Sequence, residues 1–352
     1  MRPEICRRQL LKTMSLGSVT LAMAEMGFLR CALAARKFTW ATTGGAWGDN
    51  IGSAFIEAPK FPQKEGVELD HAIELESVIA AKIVSSGTDP VFDVADQAQA
   101  EVSQLWNAKA IQEYDLSAMP NIKGIYDTSR VGNYWASYSN LLFGLTWNTK
   151  ETKRPEKFED LLRPEYKGRI GVPDYGWYGV YWLHGVNKAL GGNEDNISPG
   201  IEFAAQLVKK QGGVIVQNAG HGMKLFQSGE VVMMPFFNGR TWQLLSSGSP
   251  AQFVAAKGTV AVGSGLVITA SSPYKKAANV LVNNTLDPEL QILFAKWSKY
   301  PPTHKDAKLP ADLEYIQTSA SDLTQVVDLN WDKVANSRSA YLDRWNKEVL
   351  GS

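Results

Sequence analysis

The sequence predicts an α/β protein of two lobes, each with its own central sheet, joined by strands that cross between them. Three observations carry that expectation. After residue 35, strand-like and helix-like segments alternate in a βαβαβ rhythm, the pattern of a sheet covered by helices. A second alternation starts after an apolar stretch at 141–147. A Gly-broken apolar strand then returns at 260–268, which leads the chain back into the first half.

In the first half, 38–42 reads as a short strand and Gly44-Gly45-Ala46-Trp47-Gly48 as a turn. A helix over 49–64 follows, with Ile51, Phe55 and Ile56 apolar. The next elements are a strand at 67–72, a helix at 75–84, a buried strand at 91–95 and a helix at 98–108. In the second half, 158–162 is a short helix, 169–172 a strand, and 180–190 and 199–211 helices. Strands at 214–216, 230–235 and 252–256 alternate with helices at 222–228 and 241–247. After the returning strand come helices at 275–284 and 288–299, then helical pieces at 320–323 and 332–348.

The amino terminus has the three-part layout of an export signal: a charged head, an apolar middle over 14–29 and the small-residue segment Ala32-Leu33-Ala34. Arg7-Arg8 followed by Gln9-Leu10-Leu11-Lys12 resembles the twin-arginine type, with Cys6 where Ser or Thr is usual. The middle is shorter than the roughly 20 residues of a membrane span, and it contains Glu25. A lipid anchor on Cys31 is disfavoured by the charged Arg30 before it. Cleavage after Ala34 would leave 352 − 34 = 318 residues in the periplasm. That is long for one core.

Five of the 36 basic and two of the 36 acidic residues lie in this signal, so the mature chain carries 31 − 34 = −3. Such a balance offers no broad attraction to nucleic acid or anionic lipid. Both cysteines fall in the signal, which excludes a disulfide, a thiol nucleophile or a Cys-ligated metal from the mature chain.

A set of ordered segments then points to one family. They are Trp40-Ala41-Thr42-Thr43-Gly44-Gly45, Phe92-Asp93-Val94, Leu161-Leu162-Arg163-Pro164-Glu165-Tyr166-Lys167-Gly168-Arg169-Ile170 and Gly229-Glu230-Val231 with Phe237-Asn238-Gly239. The set closes with Tyr300-Pro301-Pro302-Thr303-His304-Lys305, Asn330-Trp331 and Arg344-Trp345. In order and spacing the chain resembles the bacterial extracellular solute-binding proteins of ABC importers, in the family of the spermidine/putrescine-binding proteins. The resemblance implies a type II periplasmic binding fold, with lobe 1 at 35–143 plus 260–302 and lobe 2 at 144–259 plus 303–352. It also implies a monomer that clamps a small solute and delivers it to an inner-membrane permease and its ATPase, without a cofactor or a resident metal.

Ligands of open α/β sheets sit beyond the carboxyl ends of the strands. The candidate ligand residues are therefore Gly44, Gly45, Trp47, Asp96, Gln97, Tyr175, Trp177, Phe237, Asn238, Arg240 and Ser264. For several a second role stays open: Gly44-Gly45 as a tight turn, Trp47 and Phe237 as core, Asp96 as a helix cap, Arg240 as an ion-pair residue. Of Tyr175, Trp177 and Tyr178, the first two are expected in the cleft ahead of the third.

By register, Tyr175, Tyr178 and Ser264 replace acids that polyamine binders use. Arg240 and the Gly44-Gly45 N–H groups suit a carboxylate or phosphonate instead. A small organic anion is the expectation, amino-bearing if Asp96 lines the cleft, with polyamine or ferric-ion binding as the alternatives. Paired tyrosines for iron are missing. None of His71, His184, His221 and His304 has metal-ligand spacing or a nucleophile beside it, so catalysis is not expected.

Overall fold

The computed structural model describes residues 36–351, so the signal reading around Arg7, Arg8 and Ala34 lies outside the described residues. In lobe 1, β1 (Phe38–Thr42) pairs in parallel with β2 (Leu69–Ile73) on one side and β3 (Val94–Ala98) on the other. The expected helix over 49–64 is broken in two. α1 (Ala46–Ile51) runs on as a wider turn over Gly52–Glu57, and α2 (Phe61–Glu65) restarts the chain. Lys60, with φ +57°, takes the left-handed conformation that interrupts a helix, and Pro62 suits the first turn of the next. α3 (Glu76–Ser85) and α4 (Gln99–Asn107) follow β2 and β3.

In lobe 2, β8 (Gly171–Pro173) pairs in parallel with β9 (Val214–Val216), and a bridge from Ile170 to Met233 joins them to β10 (Met233–Phe237). β10 and β11 (Ala251–Val254) are both antiparallel to β7 (Ser139–Asn148). Around them pack α5 (Val180–Ala189), α6 (Ser198–Ala205, continuing over Gln206–Lys210), α7 (Ala219–Gln227) and α8 (Asn238–Ser246).

The lobes are joined by β7 and β12 (Val260–Thr269). β12 pairs with β7 over Val260–Ser264 and with β3 over Ser264–Ile268. Each sheet is therefore parallel with antiparallel strands added at the crossing. The short strand β4 (Ile111–Gln112) takes the edge of β12 beyond β7. A third passage runs alongside: Asn140 donates its backbone N–H to the Pro301 carbonyl at 2.8 Å and its side-chain amide to that of Pro302 at 3.0 Å.

The lobe 1 core holds Phe38, Phe55, Phe61 and Leu281 on one sheet face and Ile79, Val102, Leu105 and Trp135 on the other. The lobe 2 core holds Phe143, Leu183, Trp182 and Trp345, with Val216, Phe226 and Phe236 behind. The strands from β10 through β7, β12, β3 and β1 to β2 form one continuous sheet; β7, β10 and β12 are buried along most of their length and read as largely apolar runs, whereas β2 and β9 are only partly buried. After α9 (Lys275–Thr285), α10 (Pro288–Ser298) and α11 (Ala320–Leu323), the C-terminal helix α12 (Trp331–Arg344) closes the structure. Val334 and Trp345 lock it into the lobe 2 core, while Arg338 and Asp332 reach Glu101 and Asn107 of α4 in lobe 1.

Two stability predictions follow from this packing. Gly265 lies where β12 passes the Ala136 carbonyl and the Trp135 indole, and a Cβ would overlap both. Gly265→Ala should lower stability by about 1–3 kcal/mol, read as the urea midpoint, and an unchanged midpoint would contradict the packing. His184 in α5 is 1 % exposed, has no hydrogen-bond partner on either ring nitrogen and lies 5.7 Å from the Tyr341 ring. Burial pushes its pKa down from 6.5 to about 4. The unfolded chain therefore binds the proton first as pH falls. This contribution is complete above about pH 6.5 and is lost between there and pH 4, at a cost of up to about 3 kcal/mol. In His184→Phe that part of the acid sensitivity should vanish from the pH dependence of the melting temperature.

Candidate functional site

The carboxyl ends of β1, β3, β8 and β10 face the crossing strands, and one carboxylate occupies that junction. Asp96 was expected in a loop after a strand ending at Ala95. It lies inside β3, because β12 goes on pairing there: Leu266 stands opposite Asp96, Gly265 opposite Gln97 and Ser264 opposite Ala98. Nor does Asp96 cap the next helix; α4 is entered through Ala98 with no side-chain cap. Three donors hold it instead. Trp47 Nε1 donates to Oδ2 at 2.8 Å, and Ser264 Oγ and Tyr138 OH donate to Oδ1 at 2.7 and 3.0 Å. Burial pushes the Asp96 pKa up, and these hydrogen bonds oppose the shift.

Two of the polar contacts that cross between the lobes hold acids at helix starts. Tyr178, in the wide turn Tyr175–Gly179 after β8, donates its OH to Glu76 Oε1 at 2.7 Å. Arg338 Nη1 donates to Glu101 Oε1 at 2.8 Å. Glu76 opens α3 and Glu101 is in the first turn of α4, so each acid lies at the positive end of a helix. Desolvation and the nearby charges of Glu101 and Asp96 raise the Glu76 pKa well above the usual carboxylate range, against the Tyr178 hydrogen bond and the Arg338 charge. Asp96 and Glu101 thus lie close enough to Glu76 to disfavour its charge, and Arg338, bonded to Glu101, offsets part of this.

A belt of rings connects these groups. Trp331 lies 5.2 Å from Tyr181, which stacks on Tyr178 at 5.2 Å. Tyr178 meets Phe237 edge-on at 4.9 Å, Phe237 meets Tyr300 at 6.4 Å, and Tyr300 meets Trp47 at 5.6 Å. Trp47 and Tyr178 belong to opposite lobes, so the belt spans the seam.

The remaining expected residues fall in several places. Gly45 takes φ +70° at the entrance to α1, and Gly44 lies against Ile73 with no room for a side chain. Gln97 is buried, its amide turned onto the Asp96 carbonyl and its Oε1 without a partner. Tyr175 is 1 % exposed and stacks on Trp345 at 6.0 Å, inside lobe 2. Tyr178, ranked below it in the sequence, is the tyrosine that reaches lobe 1. The side chain of Trp177 lies outside the described residues. Asn238 takes a structural post: its Oδ1 accepts the backbone N–H groups of Leu142 and Gly239, which ties α8 to β7. Arg240 Nη1 donates to Gln243 Oε1 at 2.8 Å and faces the Tyr300 phenol, whose pKa burial pushes up to about 12.

Tyr138, Glu76, Glu101, Arg338 and Tyr181 were not singled out in the sequence. A search of first helical turns after each strand, as well as loops, would have found Glu76 and Glu101. Nothing in the sequence marks Arg338. A separate cavity of about 670 Å³ opens beside Trp40, Ile56, Lys60 and His71, and no residue of the seam lines it.

A model of the bacterial extracellular solute-binding protein family matches residues 60–320. A Salmonella typhi protein provisionally named as a 2-aminoethylphosphonate-binding periplasmic protein is 22% identical over 312 residues, covering 83% of this chain and 86% of that one. The spermidine/putrescine-binding periplasmic protein of Escherichia coli is 20% identical over 317 residues, covering 86% and 89%. A solved ABC transporter structure from Clostridium perfringens superposes with a TM-score of 0.73 at 19% identity, covering 89% of this chain and all of that one.

The hydrogen bond from Tyr178 to Glu76 helps hold the lobes together, at about 0.5–1.5 kcal/mol for a typical hydrogen bond. Tyr178→Phe should shift the ligand-free protein towards an open form, seen as a larger radius of gyration by small-angle X-ray scattering. An identical scattering curve would mean that this contact does not govern closure.

Proposed function

The chain belongs to the family of bacterial extracellular solute-binding proteins, and from that membership we propose that it is the periplasmic solute-binding component of an ABC importer. It captures a small amino-bearing carboxylate or phosphonate between its lobes and delivers it, chemically unchanged, to a membrane permease. In this reading the chain is exported by a twin-arginine signal cleaved after Ala34. It works as a monomer with lobes at 35–143 plus 260–302 and 144–259 plus 303–352.

The observation that carries the ligand class is the excess of acid at the seam, where Asp96 and Glu101 both lie near Glu76 and a single guanidinium, Arg338, is bonded to Glu101. A solute ammonium supplies the missing positive charge. At about 4 Å from a carboxylate and an effective dielectric near 20, each such pair gains about 4 kcal/mol before desolvation. A nearby positive charge favours the ionised form of Glu76, against the burial that raises its pKa. Trp47, Tyr178 and Phe237 cover the carbon skeleton, and cation–π contact with the rings adds to the attraction. Gly44 and Gly45 form the lobe 1 rim. Ser264, with Gln97 alongside, orients Asp96 from behind, and Asn238 keeps the lobe 2 rim in place. The aminophosphonate and polyamine named for the two curated relatives both carry an amine, which supports the same reading. The acid cluster also favours a polyamine as the second reading.

Titration calorimetry with 2-aminoethylphosphonate, ethylphosphonate and putrescine tests the amine requirement. Ethylphosphonate should bind at least a hundredfold more weakly than 2-aminoethylphosphonate, and Glu76→Gln should weaken the latter at least tenfold. Equal binding of the two phosphonates would overturn the amine requirement, and putrescine as the tightest ligand would favour the second reading.

A further inference from the structure

Two arginines approach the aromatic belt, and their surroundings differ. Arg240 is engaged within its own helix by Gln243 and faces the Tyr300 phenol. Arg338 is carried across the seam by the C-terminal helix and meets Glu101 of the other lobe. Glu101 is 5 % exposed, yet its second oxygen, Oε2, has no hydrogen-bond partner. The Tyr175 hydroxyl is also buried without a partner, and Arg338 lies close enough to favour its ionised form against burial. A buried carboxylate oxygen and a buried phenol left unpaired are costly unless another molecule completes them.

We propose that Arg338 is a specificity-determining residue that selects solutes carrying an acid group beside their amine. Without solute its guanidinium rests on Glu101 Oε1. When a solute ammonium reaches Glu101 and Glu76, it takes over the charge that Arg338 had been neutralising. The planar fork of Arg338, bonded to Glu101 through Nη1, turns to the solute's carboxylate or phosphonate and binds it through two parallel hydrogen bonds. The Tyr175 hydroxyl donates to the same acid group. A dication brings no acid, so it would leave Arg338 unpaired beside two added positive charges. That repulsion disfavours the polyamine, the form discrimination takes when a wrong ligand strands a buried charge.

Because α12 is locked into lobe 2 through Val334 and Trp345 while Arg338 reaches lobe 1, the same side chain reports ligand and closure together. The cost of moving it is modest: its side chain is 33% exposed, so water can solvate the guanidinium during the exchange.

This inference rests on the amine requirement proposed above, and its test separates the two. Calorimetry compares 2-aminoethylphosphonate with putrescine in the wild-type protein, Arg338→Met and Arg338→Lys, with apo melting temperatures as the folding control. In Arg338→Met, 2-aminoethylphosphonate should bind at least thirtyfold more weakly, and putrescine as tightly as before or up to tenfold tighter, because Glu101 is released. Arg338→Lys should recover part of the preference for the aminophosphonate. It also keeps the test decisive if the methionine variant fails to fold, since a preference unchanged from wild type would then refute a role for the guanidinium fork. Equal weakening of both ligands in Arg338→Met overturns the specificity role while leaving the amine requirement standing. Wild-type protein that binds neither ligand, or binds ethylphosphonate as well as its amino form, overturns the amine requirement itself.

Discussion

The junction depends on one desolvated carboxylate held by three donors from different parts of the chain. Trp47 approaches from the turn after β1, Tyr138 from the start of the first crossing and Ser264 from the midpoint of the second. Ser264 is also where β12 changes partner from β7 to β3. Because a buried ionised acid is tolerated only when its oxygens are hydrogen-bonded, Asp96 fixes the three segments relative to one another. The aromatic belt begins at Trp47, so its orientation descends from the same contact.

Charge at the seam is arranged differently from charge on the surface. The exposed ion pairs Lys37–Glu68 and Lys333–Asp195 match one cation with one anion in water and contribute little. At the seam, Asp96 and Glu101 lie near Glu76 with one guanidinium on Glu101, and Glu76 and Glu101 are placed at helix starts that favour negative charge. An electrostatic imbalance of this kind is destabilising in an empty protein and becomes favourable when a cation fills it.

Closure uses the same groups. Side-chain contacts join the lobes at the seam, among them Tyr178 to Glu76 and Arg338 to Glu101, while β7, β12 and the passage at 299–305 form the continuous connection. Contacts worth a few kcal/mol can be made and broken without disturbing two separately packed cores, the condition for hinge motion around a ligand. The C-terminal helix adds a third connection, anchored in lobe 2 and reaching α4 of lobe 1.

The fold was legible because it is written in local patterns. Short runs rich in β-branched and aromatic residues between turns let β1 and β9 be read from the sequence to the residue, and the return of β12 announced two lobes. Boundaries moved where tertiary pairing or backbone geometry intervened: β12 lengthened β3 past Asp96, and the left-handed Lys60 split the first helix. Of the candidate site, the sequence pointed to Trp47, Asp96 and Ser264 through strand ends and glycines, and the structure joins these three by hydrogen bonds. Tyr175 and Tyr178 exchanged places, because a wide turn of the chain, invisible to periodicity, sets which ring faces inward. What the sequence determined by itself is the architecture, since burial and helical repeat act between near neighbours. What only the tertiary structure decided is the charge of the site, because Glu76, Glu101 and Arg338 are far apart in the chain and become one electrostatic unit when three helices from two lobes converge.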